Sequence, residues 1–88
     1  MLVGSMADFV AFLRANVSAS GPGRDVYEAV LTAIQLAIMA GILPDAMFFQ
    51  HALRQGVMVA TFQPEGKDAL TDMLAAAQDA GIPLDGLR

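Results

Sequence analysis

The stretch DAMFFQHALRQG, residues 45–56, contains the only histidine of the chain, His51, and Arg54, one of five basic residues. A catalytic histidine needs an orienting acid or a nucleophile within reach. Within one helical turn His51 has Met47, Phe48, Gln50, Arg54 and Gln55, and no Ser, Asp or Glu. A metal site normally draws on several His or Cys ligands, and this chain has one His and no Cys. His51 therefore reads as a surface or contact residue. No catalytic residue, metal or cofactor is expected. A small metal-binding or enzymatic protein, with His51 joined by carboxylates from another helix, is the second alternative to the main reading.

Asp68, Asp72 and Asp79 offer carboxylates at spacings 4 and 7. A calcium loop would need D-x-D-x-D-G, which is absent, and this spacing is that of a solvated helix face. The segment LAIMAGILPDAMFFQHALRQG has the outline of a helix-turn-helix. A DNA-binding regulator is thus the first alternative. Its chemistry is poor, because Pro44, Asp45, Ala46, Met47 and Phe48 open the helix that would read bases, and none supplies an Arg, Lys, Asn or Gln contact. A formal net charge of −4 repels nucleic-acid phosphates and anionic lipid alike. No nucleic acid and no membrane are expected as partners. Ser18, Ser20, Gly21, Gly23 and Arg24 could approach an anion at a helix start, but Asp25 follows at once, so a linker is the simpler reading. Phosphate-loop, dinucleotide, nucleophile-elbow and zinc-protease motifs are absent.

Four helices would position these residues, at about 6–17, 24–40, 45–55 and 64–80, with Gly/Pro signals between them. In the first, Met6, Phe9, Val10, Phe12, Leu13 and Val17 share one side, and Ser5 is placed as its N-cap. The second is apolar over most of its circumference, with a narrow stripe of Glu28, Thr32, Gln35 and Met39. It reads as central and covered on several sides. Gly41, Ile42 and Pro44 form a Schellman-type stop, with Ile42 expected to pack back onto the helix. Asp45 caps the third helix and Gly56 ends it. Residues 57–62, VMVATF, favour a short extended segment by residue type, though the run is too short for periodicity to settle. Pro64 opens the fourth helix, whose buried stripe is Leu70, Met73, Leu74, Ala77 and Ala80. Ala29, Ala37, Ala40, Gly41, Ile42 and Asp45 recur at Ala69, Ala77, Ala80, Gly81, Ile82 and Asp85. Shared helix-ending chemistry explains this without duplication.

On a helical wheel Phe49 and Leu53 turn inward, and Phe48 sits at the edge of that arc. Gln50, His51, Arg54 and Gln55 occupy the opposite arc, and Met47 falls among them. An outward methionine is soft, adaptable contact surface. Composition points the same way. The apolar set is 56% before the 8 glycines are added, whereas typical domains reach about 45–50% with glycine included. Charged residues are 16%, against about 25%. A chain of 88 residues cannot hide that much apolar surface within itself.

The sequence thus predicts one all-α domain over 1–88, a small orthogonal four-helix bundle. Residues 1–5 read as a tag or unstructured start, and 82–88 as a tail that a longer chain would continue. The expected function is a non-catalytic protein–protein interaction or oligomerisation module of adaptor or inhibitor type. It would contact a protein partner or itself, most simply as a homodimer, through Ile38, Met39, Met47, Phe48, His51 and Met58. From Ala29 to Pro44 no residue is charged, but the run is shorter than the ~17–25 residues a span requires. The opening MLVGSMADF lacks a basic n-region, so the expected location is cytoplasmic.

Overall fold

The computed structural model describes residues 5–19, 21 and 23–87. The Ser5 side-chain cap, residues 1–4 and Ser20 of the first loop lie outside what it describes. The fold is a small all-α four-helix bundle: α1 (Ser5–Ser18), α2 (Arg24–Met39), α3 (Ala46–Phe62) and α4 (Lys67–Asp79). A single 3₁₀ turn, Pro64–Gly66, leads directly into α4.

α1 buries Phe9, Val10 and Leu13 and exposes Asp8, Arg14 and Ala15, as its 3.6-residue period requires. Its last turn is tied to the start of α2 by Arg24, whose Nε donates to the Val17 carbonyl at 2.9 Å. The guanidinium also pairs with Glu28 at 2.7 Å. A cation at this end complements the α1 dipole and satisfies a terminal carbonyl. Arg24 is therefore committed within the protein.

α2 lies at the centre and packs most extensively on α3, then on α1 and α4. Val26, Tyr27, Val30, Leu31, Ile34 and Ala37 face the core. The Phe12 ring meets Tyr27 edge-on at a centroid distance of 5.7 Å. Burial, and after it the carboxylate of Asp72, hold the Tyr27 phenol above its ordinary 10.0. The fold thus favours the neutral phenol. That contribution to stability is complete below pH 10 and is lost as pH rises past 10 toward the folded-state value. Ultraviolet titration of the one tyrosine should show it ionising later than a free phenol. Asp72→Asn should bring it part of the way back, and a titration identical in folded and unfolded protein would contradict this.

α2 and α4 stop by the same chemistry. Gly41 and Gly81 adopt φ of +82° and +83°, a conformation that costs glycine little. The Ile42 and Ile82 amides donate to the Ala37 and Ala77 carbonyls at 2.9 and 3.0 Å, completing two Schellman motifs. The packing then diverges. Ile82 is buried at 3% exposure, whereas Ile42 remains 53% exposed. The expected back-packing of Ile42 fails because none of the described residues covers the tip of the α2–α3 connection, while the chain after α4 folds back over the core.

Asp45 caps α3, its Oδ1 accepting from the Phe48 amide at 2.8 Å. The helix then continues through Gly56 to Phe62, so the expected end at Gly56 and the extended segment at 57–62 are both corrected. A Cβ on Gly56 would come within 2.6 Å of Met73 Cε and 2.8 Å of Val30 Cγ2. Glycine is thus required here for close approach of α3 to α2 and α4, not for a turn. Its helix-interior cost of about 1 kcal/mol is offset by that packing. Thr61 Oγ1 back-bonds to the Val57 carbonyl at 2.9 Å, which keeps its hydroxyl satisfied inside the helix.

Gln50 is also corrected. It shares the polar arc on a helical wheel, yet it is buried. Its Nε2 donates to the Pro83 carbonyl at 2.8 Å and, more weakly, to that of Asp85 at 3.4 Å. This pins the chain after α4, where Ile82 is buried and Leu84 and Leu87 lie partly buried on the core. Gln50→Ala should cost about 1–3 kcal/mol, the penalty for stranding buried polar groups. It should also raise amide exchange at Leu87, whose N–H donates to Leu84. Unchanged exchange there would show that Gln50 does not hold the segment.

Candidate protein interface

A stripe on α3 brings together three of the six residues marked by the sequence. At 100° per residue, Met47, Met58, His51, Phe62 and Gln55 fall within a narrow arc, and all five are exposed. Phe48 and Ala52 border this arc on the side facing α2. There the two helices form an open groove of about 400 Å³, lined by Ala29, Thr32, Ala33 and Leu36 of α2 and by Phe48, His51, Ala52 and Gln55 of α3. Alanines make the floor. Leu36, 61% exposed, stands at its rim.

Apolar exposure concentrates on this hairpin. Met39 is 81% exposed, Leu43 67% and Phe62 79%, with Met47 and Met58 also more than half exposed. The total surface of 5094 Å² is close to the ~4900 Å² that size alone predicts for a compact chain of this mass. The surface is therefore ordinary in extent.

Of the sequence-marked residues, Met47, His51 and Met58 share the stripe, Phe48 borders the groove half-buried, and Met39 extends the apolar surface at the last turn of α2. Ile38 is separate. It projects from the opposite side of α2 and lines a small hollow with Ala7, Val10 and Arg14 of α1. Sequence reasoning missed Phe62, Leu36 and Leu43. Phe62 was hidden by the expectation of an extended segment; a helix continued past Gly56 puts it four residues beyond Met58 on the same face. Leu36 was masked by the all-round apolarity of α2, which leaves the periodicity without a clear outward side.

The groove offers little acid–base chemistry. His51, Thr32 and Gln55 are its polar side chains, and no carboxylate lines it. Among the described residues no group of three or more His, Cys, Asp or Glu is placed to hold a metal ion. Asp68, Asp72 and Asp79 are exposed along the outer face of α4. Among the described residues no helix is long and apolar enough to cross a membrane. No protein-family model, curated protein or solved structure matches the chain.

Proposed function

We propose that the protein is a non-catalytic protein–protein interaction module whose contact surface is the outer face of the α2–α3 hairpin. The observation that carries this is the exposure of Leu36, Met39, Leu43, Met47, Met58 and Phe62 on one helical hairpin, which also carries a groove lined by three alanines. Soluble monomers rarely expose contiguous apolar patches beyond a few hundred Å² unless the patch binds something. Methionines and an aromatic ring are also the side chains that interface cores favour. His51 and Gln55 add polar contacts at the centre of the same stripe, and His51 needs no reactive role there.

The test is photo-cross-linking in the native cell, with a photoreactive phenylalanine analogue at position 58 or 62. Position 71, exposed on α4, serves as control. Protein adducts should form from 58 and 62 and not from 71. Equal labelling from all three positions, or none from any, would overturn the reading.

A further inference from the structure

We infer that the occupant of this face is a second copy of the same chain, with α3 packed antiparallel against α3 of the second copy about a two-fold axis near Gln55. The inference rests on the interaction reading above and names its partner. The first support is the symmetry of four of the five stripe residues, with Gln55 beside the axis. Met47, His51, Met58 and Phe62 are spaced 4, 7 and 4 residues apart, the same in either direction. An antiparallel pairing centred between Arg54 and Gln55 sets Met47 against the second copy's Phe62 and His51 against its Met58. Both pairings then occur twice, which is what a self-complementary two-fold interface requires.

The second support is fit. Met47 and Phe62 lie about 22 Å apart along the helix, so a shallow crossing near 20° keeps both ends in contact. Each Phe62 then comes against the second copy's Met47, one residue before Phe48 of the groove lining. The third support is charge. A chain of net charge −4 repels its own copy, yet no acidic residue lies in the stripe. The nearest cation, Arg54, extends its guanidinium toward Gly86, away from the axis. At the axis Gln55 meets its own copy, and two side-chain amides can exchange hydrogen bonds. The fourth support is area. A standard interface takes ~800 Å² from each partner, about a sixth of this molecule's surface. Leu36, Met39, Leu43, Met47, Met58 and Phe62, six of the eight exposed large apolar residues of the hairpin, together present an area of the same order.

The test uses the purified full chain. It has no cysteine, so an introduced one is unique. Sedimentation equilibrium at micromolar to hundred-micromolar protein should show a monomer–dimer equilibrium. Gln55→Cys should form a covalent dimer under mild oxidation or with a short bismaleimide, much faster than Thr71→Cys. Phe62→Gln should raise the dimer dissociation constant at least tenfold. Its thermal melt, recorded under conditions that favour monomer, should stay unchanged, since the side chain is solvent-facing. A chain that stays monomeric throughout, or a dimer in which Gln55→Cys cross-links no faster than Thr71→Cys, would overturn the inference. A monomer in solution together with cellular adducts from positions 58 and 62 to a different protein would overturn self-pairing alone and leave the interaction face standing. Absence of those adducts removes both.

Discussion

Phe49→Ala is expected to remove most of the stability of this protein, while Phe48→Ala, one residue earlier, should cost little. Phe49 has no solvent exposure, and its ring meets Phe9 of α1 at 6.0 Å. It therefore joins α3 to α1 in the centre of the core. Truncating a buried phenylalanine typically costs about 3–5 kcal/mol, part transfer and part residual cavity. A domain of 88 residues has a total stability of about 4–13 kcal/mol. The expected loss is thus a large share of the whole and lowers the melting temperature by roughly 15–30 °C. Phe48 is only half-buried beside the groove, and its truncation should cost about 1–2 kcal/mol. Urea denaturation of the two variants checks the contrast. Equal losses would mean that α3 is rotated from the register described.

Gly56 is the second sensitive position. In the interior of an exposed helix, Gly→Ala stabilises by about 1 kcal/mol. Here the added methyl meets Met73 Cε at 2.6 Å and Val30 Cγ2 at 2.8 Å. The end of Met73 can swing aside, but Val30 is β-branched within a helix and stiff about χ1. Overpacking of this kind costs about 1–3 kcal/mol. Gly56→Ala should therefore come out destabilising by about 1 kcal/mol net, and Gly56→Leu by 3 kcal/mol or more, enough to leave much of the chain unfolded. Val30→Ala provides the control. It clears space for the Gly56→Ala methyl, so the double variant should be more stable than the sum of the single losses by at least 0.5 kcal/mol. If Gly56 ended the helix in a left-handed turn, Gly56→Ala would still destabilise, but it would show no coupling to Val30. Additivity in that cycle would count against a continuous α3.

The candidate interface was partly legible beforehand. An excess of apolar residues over what so short a chain can bury is a matter of counting, and it needs no coordinates. Met47 among the polar residues of its helix was visible on a wheel. The full stripe was not, because it depends on where α3 ends. An interior glycine followed by Val, Met, Val, Ala, Thr and Phe carries two local signals against helix, each worth about 1 kcal/mol or less. The contacts that outweigh them come from Val26, Val30 and Met73, which lie far along the chain. Ile38 shows the opposite error. It looked like part of the same surface as Met39, but adjacent helical positions diverge by 100°, and only the placement of α1 shows which way each one points.

Local chemistry, readable from the chain alone, determined that this protein is helical, that Asp45 starts α3, that Gly41 and Gly81 end α2 and α4, and that Phe49 and Leu53 turn inward. Each rests on a hydrogen bond or a periodicity spanning a few residues. Only the tertiary structure decided that Ile82 is buried and Ile42 is not, that Gln50 turns from solvent to hold the Pro83 carbonyl, and that α3 runs on to carry Phe62 into an exposed apolar face. The Gly-Ile stop is the same sequence twice with the same hydrogen bonds. What differs is whether another part of the chain is there to cover it, and burial is a property of those distant neighbours.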